Sequence, residues 1–130
     1  MFITNQPNYP PGWQILFSPT GWVFLRRLQE QRSSGASFLS LNKKLRDWNA
    51  PLESVAPLLT QVELQEKAKK KFGGISADML FTSAGLEQSS RISVAQLHAQ
   101  RFKSANIYKV SDLGCGIGSQ SLAFVEAGLE

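Results

Sequence analysis

The chain has 130 residues, and its hydrophobic content of 42% is typical of a globular protein. That length allows one small domain, or one domain and part of a second. The formal net charge of +4 is compatible with a nucleic-acid partner without requiring one. One cysteine and one histidine exclude an internal disulfide framework and a metal site built from Cys and His pairs.

The N-terminal residues have no basic region followed by an apolar run, which argues against a secretory signal. No apolar run approaches the roughly 20 residues that span a bilayer. The single cysteine suits a reducing compartment. We therefore expect a cytoplasmic protein without a membrane-spanning segment.

Residues 1–17 contain Pro7, Pro10 and Pro11, which disfavour a helix. They predict an extended arm that becomes ordered only at Trp13–Phe17. Two roles are open for this arm. It could bind a partner, or Trp13 and Phe17 could cover the edge of a helical core.

The middle of the chain predicts a helical domain over residues 18–104. Ser18 followed by Pro19 is a typical helix start, and Ser54 is the predicted cap of a later helix. Apolar residues recur at steps of three and four in four segments. The four predicted helices are residues 19–31, 38–48, 54–72 and 86–104, with a turn at residues 83–85 before the last one.

Basic residues concentrate in two places. Between Arg26 and Arg46 there are six basic residues and one acid, Glu30. This group could face RNA, or it could be an ordinary solvated surface. The run of lysines at Lys67–Lys71 lies at the predicted C-terminal end of a helix, where cations complement the helix dipole, so nucleic-acid contact is not needed to explain it.

The C-terminal residues 105–130 predict a strand, a glycine-rich turn and a helix. Tyr108 and Val110 favour a strand over residues 107–113, and a helix is predicted over residues 119–127. Three glycines, Gly114, Gly116 and Gly118, separate the two elements. This order is typical of the start of an α/β nucleotide-binding domain. The predicted fold is thus mainly α, with the first strand–loop–helix of a Rossmann-like domain.

Glycines allow a backbone to turn sharply and to approach a ligand closely, and the helix N-terminus supplies N–H donors. Asp112, at the carboxyl end of the predicted strand, could face the ammonium group of S-adenosylmethionine. Alternatively, the glycines form only a tight turn and Asp112 caps the helix. A dinucleotide site is disfavoured because its G-x-G-x-x-G pattern needs a glycine where Ser119 stands.

Three stretches resemble a known family: Leu80–Arg91 (LFTSAGLEQSSR), Arg101–Phe102 and Val110–Gly118 (VSDLGCGIG). They are similar to actinobacterial class I S-adenosylmethionine-dependent methyltransferases that carry a C-terminal THUMP-like domain. Leu58–Gln61 and Lys67–Gly73 also resemble the helical N-terminal region of that family. The glycine loop is shared by most class I methyltransferases, whereas the Phe-Thr-x-x-Gly-Leu-Glu-Gln stretch is more specific to this one.

The resemblance implies methyl transfer from S-adenosylmethionine, with RNA as the substrate class. It implies that Asp112 and the loop residues bind the cofactor and that Glu87 and Gln88 line the same pocket. The loop residues are Gly114, Cys115, Gly116 and Gly118. It assigns no catalytic residue and no metal.

In that family the ribose-binding acid, the remaining strands and the THUMP-like module would follow Glu130. We therefore expect residues 105–130 to be the truncated start of a methyltransferase domain, inactive as this chain alone. The alternative is a non-enzymatic helical module that binds RNA or protein and has a vestigial glycine loop.

Overall fold

The computed structural model describes residues 9–130, and in that range the protein is mainly helical, as predicted. The predicted arm before Tyr9 lies outside the described residues. The chain divides into two compact units, Met1–Glu63 and Leu64–Glu130. Each unit has its own buried residues. Among residues 9–130, no helix is both long and apolar enough to cross a bilayer.

The first unit begins with a 3₁₀ helix, Trp13–Phe17, followed by α1 (Pro19–Ser33), α2 (Phe38–Asp47) and the first three turns of α3 (Leu52–Phe72). The predicted start of α1 is confirmed: the Ser18 hydroxyl oxygen accepts a hydrogen bond from the Gly21 N–H at 3.1 Å, with Pro19 as the first helical residue. Ser37 caps α2 in the same way.

The core of the first unit is built from leucines and other apolar residues on these elements, and α1 packs against both the 3₁₀ helix and α2. Covering this core was one of the two roles open for Phe17, but its side chain is exposed, and Leu16 is the buried residue of the 3₁₀ helix. A 3₁₀ helix has three residues per turn, so it directs one side chain in three toward the core. The buried apolar residues are Leu16, Phe24, Leu25, Leu28, Leu41, Leu45, Val55, Leu58 and Val62.

The start of α3 differs from the prediction. The helix begins at Leu52, so Ser54 lies inside it, buried, rather than capping it. Pro57 has no N–H, which leaves the carbonyl of Glu53, four residues earlier, without its helical donor. Gly12 lies against this carbonyl so closely that a Cβ atom at Gly12 would overlap the Glu53 oxygen. Gly12 also has a φ of 82°, in the left-handed region.

The second unit contains the rest of α3, a 3₁₀ helix (Gly73–Asp78), α4 (Ser83–Gln88), α5 (Ile92–Ser104) and α6 (Ser119–Glu126). It has two buried clusters. One joins the end of α3 to α4 through Leu64, Ala68, Phe72, Phe81 and Leu86. The other joins α5 to α6 through Ala95, Ala99, Ala123 and Leu129.

The prediction of a single helix over residues 86–104 is wrong, because two helices, α4 and α5, occupy this region. The predicted turn at residues 83–85 is the first turn of α4. The Thr82 hydroxyl oxygen accepts from the Gly85 N–H at 3.0 Å, which starts this helix earlier than the apolar pattern suggested. At the end of α4, the Ser89 hydroxyl donates a hydrogen bond of 2.7 Å to the Leu86 carbonyl, which has no partner within the helix.

The C-terminal helix agrees with the prediction, and Gly128 follows it with a φ of 82°, as expected for a helix C′ residue. In contrast, residues 107–113 form no β-strand in the described structure. Two residues of this segment, Tyr108 and Val110, nevertheless form backbone hydrogen bonds with Glu130.

We predict that Gly12→Ala destabilises the protein more than Gly35→Ala. Both glycines have a left-handed φ, 82° and 90°, but a Cβ atom meets nothing within 4 Å at Gly35. Gly35→Ala should therefore cost only backbone strain, about 1–2 kcal/mol. Gly12→Ala should cost at least ~1 kcal/mol more, because Glu53 must move. Urea unfolding of both variants measures the difference, and equal costs would contradict the close approach to Glu53.

Candidate functional site

The glycine loop lies between the segment at residues 107–112 and α6. Gly116 and Gly118 have φ values of 55° and 84°, a conformation that other residues rarely adopt. Gly118 immediately precedes α6, and its N–H donates to the Cys115 carbonyl at 2.8 Å. A Cβ atom at Gly114, Gly116 or Gly118 would meet nothing within 4 Å. The loop therefore leaves space beside its backbone.

Asp112 is held beside the first turn of α6. Its Oδ2 atom accepts a hydrogen bond of 2.9 Å from the hydroxyl of Ser121. This oxygen bonds a side chain and not a backbone N–H, so Asp112 does not act as the helix cap; Gly118 occupies that position. In the described residues Oδ1 makes no hydrogen bond, so half of the carboxylate remains available next to the positive end of α6.

The end of the chain returns to the segment that precedes the loop. The Glu130 N–H donates to the Tyr108 carbonyl at 2.7 Å, and the Val110 N–H donates to the Glu130 carbonyl at 2.8 Å. In parallel segments, one residue forms hydrogen bonds with the two residues that flank its partner. In antiparallel segments, two opposite residues exchange both hydrogen bonds with each other. The side chains of Lys109 and Glu130 also pair, with 3.6 Å between Nζ and Oε2.

Helix α4 contacts the glycine loop directly. A Cβ atom at Gly85 would lie 2.7 Å from Cγ2 of Ile117, so the absence of a side chain at Gly85 allows the loop to approach α4. Ile117 also packs against the buried cluster that contains Phe81 and Leu86. The structure thus brings together two of the three stretches that resemble the family, the one around α4 and the loop itself.

The end of α4 is fixed by Lys71, whose role the sequence did not reveal. The Lys71 ammonium donates to the carbonyls of Leu86, Glu87 and Ser89 at 2.6, 3.0 and 2.9 Å. Cations near a helix C-terminus satisfy its unpaired carbonyls. The sequence suggested a dipole interaction with α3 itself. No local pattern reveals a partner 15 to 18 residues away.

The remaining predicted cofactor residues are exposed. Glu87 and Gln88 are at the end of α4, and Cys115 is at the outer side of the loop. In residues 9–130, the side chains of Glu87 and Gln88 make no hydrogen bond to the loop. The helix that carries Glu87 and Gln88 approaches the loop through Gly85 and Ile117, and the cofactor role of these two side chains stays a prediction.

His98 and Gln120 join α5 to α6 beside the loop. Nε2 of Gln120 lies 2.9 Å from Nδ1 of His98, so the lone histidine packs against a neighbouring helix. The Oε1 atom of Gln120 is buried and has no hydrogen-bond partner in the described structure. Between Tyr9 and Glu130, no group of three acidic, His or Cys side chains could hold a metal ion.

Comparison with known proteins gives no independent identification: no protein-family model, curated protein or solved structure matches the chain. The resemblance to the methyltransferase family stays a prediction based on the three motif stretches.

We predict that Lys71→Met destabilises the second unit by about 2 kcal/mol, because three carbonyls lose a charged donor. Lys70→Met is the matched control: Lys70 is exposed, so its replacement should change stability by no more than about 0.5 kcal/mol. Denaturant unfolding measures both. Amide NMR shifts at residues 86–89 should change only in the Lys71 variant. Equal stability of the two variants would show that these hydrogen bonds contribute nothing.

We also predict that Gly85→Ala and Ile117→Ala have strongly non-additive effects on stability. Gly85→Ala places a methyl group against Cγ2 of Ile117 and should cost about 1–3 kcal/mol. In the presence of Ile117→Ala that steric cost should fall, because Cγ2 is gone, although the clash with Thr82 stays. A double-mutant cycle measures the coupling. Additive effects, within about 0.5 kcal/mol, would contradict the contact between α4 and the loop.

Proposed function

We propose that the second unit provides the cofactor-binding loop of an S-adenosylmethionine-dependent methyltransferase with a Rossmann-like domain, acting on RNA. S-adenosylmethionine supplies a methyl group on a sulfonium and leaves as S-adenosylhomocysteine. In this proposal Asp112 and the glycine loop bind the amino-acid part of the cofactor, and α4 supports the loop from behind.

The observation that carries the proposal is the pairing of Glu130 with Tyr108 and Val110. Its two hydrogen bonds follow the parallel pattern, and the connection between the paired segments consists of the glycine loop and α6. Parallel segments joined through a helix are the repeating unit of α/β domains, which bind their ligands at the carboxyl ends of the strands. Asp112 and the loop occupy that position in the chain.

The residues around the loop have the chemistry that the cofactor needs. Oδ1 of Asp112 is an acceptor for an ammonium group, while Ser121 holds the other oxygen. The open space at Gly114 and Gly116 allows a ligand to approach the backbone.

We predict that S-adenosylhomocysteine binds to the whole chain and that Gly114→Ala weakens this binding at least tenfold. Gly114 has no left-handed φ and no neighbour within 4 Å, so alanine should fit the free protein and obstruct only a ligand. Gly74→Ala is the matched control, because Gly74 has the same properties outside the loop. It should leave affinity unchanged within about twofold, a difference of less than ~0.5 kcal/mol.

The measurement is an NMR titration to about 5 mM ligand, which reveals a Kd near 1 mM. Shifts should concentrate at residues 112–119, and Asp112→Asn should weaken binding about tenfold by removing the charge that faces the ammonium group. Two results would refute the proposal: no saturable shifts in the loop, or equal losses for Gly114→Ala and Gly74→Ala. Tighter binding of NAD⁺ than of S-adenosylhomocysteine would indicate a dinucleotide site instead.

A further inference from the structure

We propose that the outer face of α2, in the first unit, binds single-stranded RNA. A groove of about 570 Å³ lies along this face. It is lined by Ser37, Leu39, Ser40, Asn42, Lys43 and Arg46. Its volume is in the range of small-ligand sites, which suits one nucleotide in the groove and neighbouring nucleotides along the surface.

The groove follows from the helical spacing of its residues. Leu39, Asn42, Lys43 and Arg46 are separated by three and four positions, so they lie along one face of α2. Leu41 and Leu45, on another face, are fully buried. The core therefore fixes the orientation of α2, and the groove residues face outward on a helix that cannot rotate.

The charges in the groove are not neutralised within the protein. The arginines of α1 lie over aromatic rings: Arg27 is 5.5 Å from the Trp48 ring, and Arg32 is 4.4 Å from the Phe38 ring. The side chains of Lys43 and Arg46, in contrast, make no ion pair, hydrogen bond or ring contact within residues 9–130. The groove lining contains no carboxylate. Two unpaired cations on one face, without an acid between them, complement a chain of phosphates.

The uncharged groups in the groove favour single-stranded RNA over other polyanions. Leu39 is 84% exposed and gives an apolar contact for an unstacked base. The hydroxyls of Ser37 and Ser40 and the amide of Asn42 can bond base edges or 2′-hydroxyls, and the Arg46 guanidinium can stack on a base. A lipid surface would require a broad apolar face, whereas this groove has one large apolar side chain.

This inference concerns the partner class of the proposed methyltransferase, but its evidence lies in the first unit alone. It does not require that the glycine loop binds a cofactor. RNA binding without S-adenosylhomocysteine binding, or the reverse, would therefore separate the two proposals.

The test is fluorescence anisotropy of the whole chain with a labelled single-stranded oligouridylate of about 12 nucleotides. Lys43→Gln/Arg46→Gln is compared with the matched control Lys69→Gln/Lys70→Gln, which removes the same two charges from exposed positions of α3. The first variant leaves the other four side chains that line the groove unchanged. Thermal unfolding should be the same for both double variants.

We predict that the groove variant binds the oligouridylate at least tenfold more weakly at low salt, while the control stays within about threefold of the original chain. The slope of log K against log salt should fall by about 1.4 in the groove variant, since each phosphate contact contributes about 0.7. Leu39→Ala in the original chain should also weaken binding, but without changing the slope, because it removes an apolar contact and no charge.

The proposal is overturned by any of three results: no binding by the original chain, equal losses in the two double variants, or a comparison probe that binds more tightly. The comparison probes are a duplex RNA of equal length, polyglutamate, and phosphatidylserine vesicles. Each of them tests a different polyanion on the same groove.

Discussion

The arrangement of the candidate site depends on the ammonium group of Lys71. Its three hydrogen bonds attach the end of α4 to the end of α3. With its end fixed, α4 presents Gly85 to Ile117, and Ile117 connects the glycine loop to the buried cluster around Phe81. A charged donor shared by three carbonyls is costly to remove, because three hydrogen bonds are lost at once. Lys71 thereby positions the glycine loop indirectly, through α4.

The helices of the first unit could be predicted well because their signals are local. Ser18 with Pro19, and Ser37 before Phe38, cap helices whose apolar residues recur at helical spacing. The start of α3 was missed because nearby Ser54 resembles a cap, whereas the structure buries it. The exposure of Phe17 could not be predicted either, since residue type alone does not tell which side of a 3₁₀ helix faces the core.

In the second unit, the elements whose positions depend on distant contacts were harder to predict. The end of α4 is determined by Lys71, and its start by the Thr82 hydroxyl, in a region whose apolar pattern continues into α5. The loop residues could be selected from the glycine spacing, but their packing against α4 through Gly85 could not. The contact of Gln120 with His98 likewise joins residues 22 positions apart. No spacing rule links such positions.

The pairing of Glu130 with Tyr108 and Val110 has a consequence for Lys109. In a parallel pattern the N–H and C=O of Lys109 point to the side opposite Glu130. Peptide groups that are open on one side can template the association of further chains. A lysine at this place opposes such growth, because two copies meeting along this edge would bring like charges together. The same side chain also forms an exposed ion pair with Glu130, so one lysine contacts the paired residue and borders the open side.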